Sequence, residues 1–304
     1  MTATILNWGA RSYATRSRAL ERLRRTVKAV IVLVAICQTT PMSSADDPPA
    51  ARVEEGGGVG IVVLNEHAIG SASLAQPYLD RISAIAAEQN DWPAAHGRYC
   101  TNREAAEAYI RSQAPHYGIF SLSAFLAMRK TYHLEVIGSA VVSLVGGQRY
   151  HVITQTASDL DGCRGKRLVT NHADDRKFLE RVVARNSFKL SEFTLVETTR
   201  PVLTVKQLLA GEADCALIDD AQFAELSHIP GTEGVRSVWE SQKLPPMVVV
   251  AFPAAPRTER KEFRNNLSAL CGGEGQSICA EVGILSIEAA DDRTYAAVVA
   301  AYGR

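Results

Sequence analysis

The chain has 304 residues, 46% of them hydrophobic, with 33 basic and 33 acidic side chains. That is enough apolar chain for one large core or two smaller ones. The neutral balance hides an asymmetry. Residues 1–45 hold seven basic side chains and one acid, so the rest of the chain carries 26 basic and 32 acidic ones. Such a surface excludes general attraction for nucleic acid, and an anion would have to be held by local groups.

In chain order, the first segment reads as an export signal. Leu20 to Lys28 is basic, Ala29 to Ile36 is continuously apolar, and Ser43, Ser44 and Ala45 supply small residues for cleavage. The apolar run is too short to span a bilayer as a mature helix. Ile36 is large where a small residue is expected before a lipidated Cys37. The predicted division is therefore residues 1–45 as signal peptide and 46–58 as a Pro-, Ala- and Gly-rich tether.

Val59 to Leu64 is an apolar run suited to a parallel strand buried on both faces. A helix is predicted from Leu74 to Gln89, a strand from Ala95 to Cys100, and a helix opened by a Thr101–Glu104 capping box and bounded by Pro115. Tyr117 to Phe120 is a third strand, and Ser121 and Ser123 sit where a helix running to Lys130 begins. The β-branched stretch Val136 to Val145 leads to Gly146-Gly147, a predicted crossing into a second lobe.

There, strands are predicted at Tyr150 to Thr154, Lys166 to Thr170, Thr194 to Glu197 and Ala213 to Ile218. Helices at Asp174 to Arg185, Pro201 to Ala210 and Ala221 to Leu226 fill between them. Ser241 to Pro246 is a second crossing, Met247 to Phe252 a returning strand, and Glu259 to Leu270 and Arg293 to Tyr302 closing helices. Alternating strands and helices predict parallel α/β sheets.

An exported chain can oxidise its cysteines. Cys271 and Cys279 enclose a Gly-rich loop and are the expected disulfide. No cysteine pair has CxxC spacing and the histidines are scattered, so no metal site and no cofactor are expected. The chain has no G-x-S-x-G, H-E-x-x-H or P-loop pattern, and Gly56-Gly57-Gly58-Val59-Gly60 precedes a strand where a dinucleotide loop would follow one. The expectation is that it is not an enzyme.

Two runs carry more information. Leu160-Asp161-Gly162-Cys163-Arg164-Gly165-Lys166-Arg167-Leu168 reads as a turn into a strand. Leu208-Leu209-Ala210-Gly211-Glu212-Ala213-Asp214-Cys215-Ala216-Leu217-Ile218-Asp219 reads as a helix end, a turn and a buried strand. With Leu122-Ser123-Ala124, Pro245-Pro246 and the terminal Asp291-Asp292-Arg293-Thr294-Tyr295, this order resembles the type-2 periplasmic solute-binding proteins. Within them it resembles the phosphate/phosphite/phosphonate family of ABC importers. The resemblance runs from Val59 to Tyr302. It implies an α/β two-lobed fold with mixed sheets and two interlobe crossovers. The expected lobes are 59–149 plus 245–304, and 150–244.

It also implies a monomer in the periplasm that closes on a small anionic or zwitterionic ligand and delivers it to an ABC permease in the inner membrane. An alternative is a sensory or scaffold protein that signals from the same fold to a membrane receptor. The family places the strands near Cys163 and Cys215 side by side, which allows a second disulfide; Cys215 as an ordinary buried thiol is the other reading.

Ligands in open α/β sheets gather outside the carboxyl ends of strands. That rule nominates Asn65, Glu66, Thr101, Ser121 and Ser123 in the first lobe, and Thr170, Asn171, His172, Thr199, Arg200 and Asp219 in the second. Ser121 and Ser123 serve equally as helix caps. Arg200 is either a surface side chain or a fork of donors for an oxyanion. Asp219 is either an N-cap or, as the resemblance implies, a partner for a ligand amine. His67 and His172 are expected on the cleft rim and not as metal ligands. The family's Ser/Thr-Gly phosphonate cradle is replaced by Thr170-Asn171-His172-Ala173-Asp174-Asp175-Arg176, whose carboxylates would compete with an anion at a helix start.

Overall fold

The computed structural model describes residues 58–67, 71–143 and 146–304, all within one compact unit, Glu54–Arg304. The predicted export signal, and the predicted tether as far as residue 57, lie outside the described residues.

Strand β1, Val59–Leu64, is buried along its whole length, as its unbroken apolar run requires. Helix α1, Ala72–Gln89, buries Leu79, Ser83, Ala86 and Ala87, one stripe at helical spacing. Then come β2, Ala95–Cys100, and α2, Arg103–Gln113. The cap of α2 is not the expected Thr101–Glu104 box. Asn102 is the N-cap, its side chain accepting the Ala105 N–H at 2.9 Å. A side chain one residue later reaches the same free N–H groups, and Asn is as good a cap as Thr. Next are β3, Tyr117–Phe120, α3, Leu122–Met128, capped by Ser121, and β4, Glu135–Val142.

The chain then builds a second sheet. It comprises β5, Tyr150–Thr154, β6, Arg167–Thr170, a short α4, Arg176–Phe178, continued by a π-helical turn at Leu179–Val183, and β7, Thr194–Glu197. Helix α5, Pro201–Leu209, starts on a proline whose missing N–H costs nothing at that position. Strand β8, Cys215–Asp219, α6, Asp220–Glu225, and β9, Arg236–Glu240, complete it. The return consists of β10, Met247–Ala251, α7, Arg257–Asn266, α8, Gly275–Glu281, β11, Ile284–Ala289, and α9, Asp292–Gly303.

The first sheet has the order β11-β4-β10-β3-β1-β2 and the second β7-β6-β8-β5-β9. Both are mixed. Strands β1, β2 and β3 run parallel, while β10 is antiparallel to β3 and β4. Strand β6 is parallel to β7 and β8, and β5 is antiparallel to β8 and β9. The chain passes between sheets twice, from β4 to β5 and from β9 to β10. Strands β9 and β11 and helix α8 had no expectation in the sequence; both strands are sheet edges.

One buried cluster runs through both sheets, from Leu64, Phe120 and Phe125 to Tyr150, Leu168 and Leu217. Each such side chain contributes about 1.5–3 kcal/mol of burial. Cys163 is bonded to Cys215, pinning the turn before β6 to the start of β8, and Cys271 is bonded to Cys279. Cys100 is a buried free thiol. Among the described residues no helix is long and apolar enough to cross a membrane.

Candidate functional site

Register brings the strand ends together. Leu64 pairs with Phe120, and the Ser121 N–H donates to the Leu64 carbonyl at 2.8 Å, so Asn65-Glu66-His67 lies beside Ser121. In the second sheet Tyr150 pairs directly with Asp219. These ends, with the two crossings, line a cavity of about 30 Å³. It admits more than a single water, which needs roughly 10–15 Å³.

Six nominated residues line this cavity: Asn65, Glu66, Ser121, Ser123, His172 and Asp219. The other five do not. Thr101 is half-buried just before the cap of α2. Thr170 is fully buried and its hydroxyl accepts the His172 N–H at 3.2 Å. Asn171 accepts a hydrogen bond from the Thr204 hydroxyl at 3.2 Å. Thr199 and Arg200 are exposed, with Arg200 at the N-cap position of α5. Strand β7 is an edge strand, so the residues that follow it are carried away from the centre of the sheet.

On the first-sheet side the charges are paired. Glu66 is buried and accepts two hydrogen bonds from the Arg103 fork, at 2.8 and 2.9 Å. Ser123 donates a third at 3.0 Å, and its oxygen lies 3.3 Å from that of Ser121. Arg103 reaches onward to Asp175 at 3.7 Å. Asp175 also caps α4 by accepting the Phe178 N–H at 2.9 Å and takes the Tyr302 hydroxyl at 3.1 Å.

The rim is held by His67, whose Nε2 lies 3.1 Å from Asp174. Burial alone would lower the His67 pKa; the hydrogen bond and charge of Asp174, with Glu66 and Asp219 adding, outweigh it and leave it raised. The Asp174 carboxyl is correspondingly held low: burial would raise it, and the His67 bond and charge overcome that. His67 adopts φ +63°, uncommon for a residue with a side chain, and worth about 1–3 kcal/mol of strain. The contact is thus maintained by its surroundings and not by local preference.

The second-sheet side is different. Asp219 is 4% exposed and ends β8. It accepts the Gln222 N–H at 2.9 Å, and Gln222 Oε1 accepts the Asp219 N–H in return, a complete capping box. Gln222 Nε2 donates to the Pro201 carbonyl, so its Oε1 faces His172 at 3.1 Å and His172 Nε2 carries the proton.

His172 lies 3.8 Å from Asp219 but stays neutral, because burial and the neighbouring His67 charge lower its pKa to about 3. No Arg or Lys among the described residues pairs with Asp219. Burial raises its pKa to about 7, against the lowering effect of the Gln222 N–H. Gly146, at φ +80°, presses its backbone on this carboxyl: a Cβ there would sit 2.3 Å from Asp219 Oδ2. The Tyr150 phenol beside it is fully buried, and burial with the Asp219 charge keeps it protonated.

Sequence reasoning did not nominate Gln148, Tyr150, Gly146 or Gly147 as walls of the site, nor Arg103 as the partner of Glu66. The glycine pair was a legible signal, read only as a crossing. Nothing local marks Arg103, which meets Glu66 only when α2 is placed against β1. Among the described residues no cluster of three or more His, Cys, Asp or Glu has metal-holding geometry.

A family described as "ABC transporter, phosphonate, periplasmic substrate-binding protein" matches residues 87–295. Among solved structures, XAC2383 from Xanthomonas citri bound to ATP is 12% identical, with a TM-score of 0.61 over 80% of this chain and 97% of that one. A binding-protein component of an ABC phosphonate transporter from Pseudomonas aeruginosa is 12% identical, with a TM-score of 0.58 over 78% and 83%. PhnD1 from Prochlorococcus marinus in complex with methylphosphonate is 10% identical, with a TM-score of 0.58 over 79% and 95%. At such identities the structures show a common two-lobed fold. No curated protein sequence matches the chain.

Proposed function

We propose a function from one premise: the chain belongs to the phosphonate-type periplasmic substrate-binding protein family of ABC transporters, whose pattern spans more than half of it. On this reading the protein captures a small zwitterion between its two sheets in the periplasm and delivers it to an ABC permease. The lobes would be residues 59–149 plus 245–304, and 150–244, moving about the two crossovers.

The observation that carries the reading is Asp219, a buried carboxyl on the cavity wall without a charged side-chain partner among the described residues. A ligand ammonium would supply that partner. Burying a charge is costly unless it is paired, so ammonium and carboxylate would stabilise each other there. Opposite charge on the ligand would find hydroxyl donors at Ser121 and Tyr150. Glu66 is already satisfied by Arg103 and Ser123, so it shapes the cavity and offers little free charge.

The cradle is altered on this reading. Asp174 and Asp175 face His67, Arg103 and Tyr302 from the first lobe. They would fasten the closed form, where a hydroxyl-and-glycine cradle would grip an anion. Asn65, Ser121, Ser123, Tyr150, His172 and Asp219 are the residues we assign to the ligand; Thr101, Thr199 and Arg200 are not among them.

A thermal-shift screen of amino acids, aminophosphonates, betaines, alkylphosphonates, phosphate and sulfate, followed by calorimetry, tests this. Zwitterions should bind, and their affinity should fall about tenfold per pH unit below 7, as Asp219 takes up a proton. Asp219→Asn should abolish that dependence and weaken binding. Tight binding of alkylphosphonates that lack an ammonium group, unchanged in Asp219→Asn, would refute the reading.

A further inference from the structure

A second chamber lies on the face of the first sheet, beneath α1, with a volume of about 470 Å³ on the measure that gives the cleft cavity about 30 Å³. Its walls are mostly apolar. Ala75, Tyr78 and Ile82 come from α1, and Val63, Ile119 and Ile287 from the sheet.

Its origin is visible in the packing. Gln76 ties α1 to the edge strand β2, donating to the Gly97 carbonyl at 2.8 Å and accepting the Tyr99 N–H at 3.0 Å. Gly97 permits the approach, since a Cβ there would meet the Leu79 side chain at 2.6 Å. The helix therefore lies along β2, and the hollow opens between it and Ala140, Met247 and Ile287 of β4, β10 and β11. Further down the same face Trp92, Tyr117, Phe263 and Leu267 fill the space; toward the carboxyl ends of the strands no side chain of that size among the described residues does.

The chamber adjoins the ligand cleft. Asn65, Ala140, Val142 and Met247 line both. Asn65 stands at the boundary, its amide donating to the Tyr99 hydroxyl at 3.4 Å. An apolar chamber of this size next to a polar cavity has the form of a two-part site.

We infer that the chamber receives the apolar substituent of the ligand whose charged head sits in the cleft, so that the substrate class is zwitterions bearing an alkyl or aryl side chain. This rests on the solute-binding reading above. Lengthening the side chain by one methylene buries about 0.8 kcal/mol of apolar surface, a gain of about fourfold in affinity.

Calorimetry on the full chain with glycine, alanine, norvaline, norleucine and phenylalanine, and with the matching 1-aminoalkylphosphonates, reads this gain directly. Affinity should rise three- to fourfold per methylene until the chamber is filled. Ala75→Trp, which puts an indole into the chamber from α1, should remove the gain, measured as the ratio of the longest to the shortest ligand within that variant. A probe without a head, toluene followed by saturation-transfer NMR, should be held by the native chain and released in Ala75→Trp.

The native series needs no variant, so a misfolded Ala75→Trp does not block the test. Should no charged head bind while toluene binds and is displaced, the chamber is upheld as an apolar site and the cleft reading is the one that fails. Affinity that is flat or falling along both series, or toluene binding that Ala75→Trp leaves unaltered, overturns the inference.

Discussion

Glu66 and Asp219 are both carboxylates at strand ends, one on each side of the cleft, and both are nearly inaccessible to solvent. Glu66 is held by the Arg103 fork and the Ser123 hydroxyl. Asp219 has a backbone N–H and a neutral histidine. A carboxyl group at a strand end is thus a settled part of the framework in one sheet and an open electrostatic position in the other. Burial alone does not assign a role; the supply of counter-charge does. The second sheet also carries a disulfide through its core at Cys163–Cys215, whereas Cys271–Cys279 lies outside the sheet of the first.

The largest expected effect separates the two disulfides. Cys163–Cys215 spans 52 residues and Cys271–Cys279 spans 8. By chain entropy the longer loop is worth about 4 kcal/mol and the shorter about 2.5. Denaturant titration of Cys163→Ser/Cys215→Ser and of Cys271→Ser/Cys279→Ser should show that order, with the first variant losing the second sheet before the first.

Asp219 comes next. Its folded pKa of about 7 lies above the usual 3.8, so its protonated form is bound more tightly in the native state. The stability it contributes is present at pH 4 and is lost as pH rises through 7. His172 has the opposite sign. Its pKa of about 3 means that the unfolded chain takes up a proton first as pH falls below 6.5. The two slopes oppose each other across the mildly acid range. Asp219→Asn keeps a good capping side chain and removes one slope. The difference in stability, variant minus native, should therefore grow by on the order of 3–4 kcal/mol between pH 4 and pH 7. Urea titrations at several pH values measure it; a difference independent of pH would show that Asp219 is not held protonated.

The settled carboxylate gives a sharper contrast. Arg103→Ala leaves Glu66 buried without its counter-charge and should cost about 3 kcal/mol. Glu66→Gln placed on the same chain should recover part of that loss, and the double-mutant cycle should return a coupling of about 1–3 kcal/mol. Additive losses would mean that the pair is not the reason for Glu66's burial.

The smallest effect is at the rim. His67–Asp174 is partly exposed, with Asp174 at 54%, so His67→Ala should cost less than about 1 kcal/mol. The contribution should be present below pH 6.5 and fade as pH rises through the raised His67 pKa. It is read best as a change in closure, by small-angle scattering at pH 5.5 and pH 8.5.

Much of the framework was legible because it is locally encoded. Val59–Leu64 reads as a two-sided buried strand because nothing polar interrupts it, and it is one. The strand ends of β1, β3 and β8 fall where the apolar runs stop, so Asn65, Glu66, Ser121, Ser123 and Asp219 followed from the run boundaries. The edge strands β9 and β11 were invisible. Arg236-Ser237-Val238-Trp239-Glu240 is short, flanked by charge, and half-buried at only Val238 and Trp239, so it carries little of the alternation that marks a strand. Arg200 was nominated because it follows a strand and precedes a helix; that strand is an edge, and position within the sheet is not a local property.

The sequence by itself determined the strand ends that face the cleft and the Cys271–Cys279 closure, because each depends on residues within one run or one loop; the two-lobed plan followed from the family resemblance that its motifs carry in order along the chain. Only the tertiary structure decided which carboxylate is paired. Arg103 is 37 residues from Glu66, Tyr302 is 127 from Asp175, and Gln222 is 50 from His172. Those contacts exist because packing two sheets against α2, α6 and α9 brings distant side chains within hydrogen-bond range, and the same packing excludes the water that would otherwise screen them. The chamber beneath α1 has the same origin. It comes from the stand-off between a helix tied to one edge of the sheet and the strands at the other, a distance that no single segment encodes.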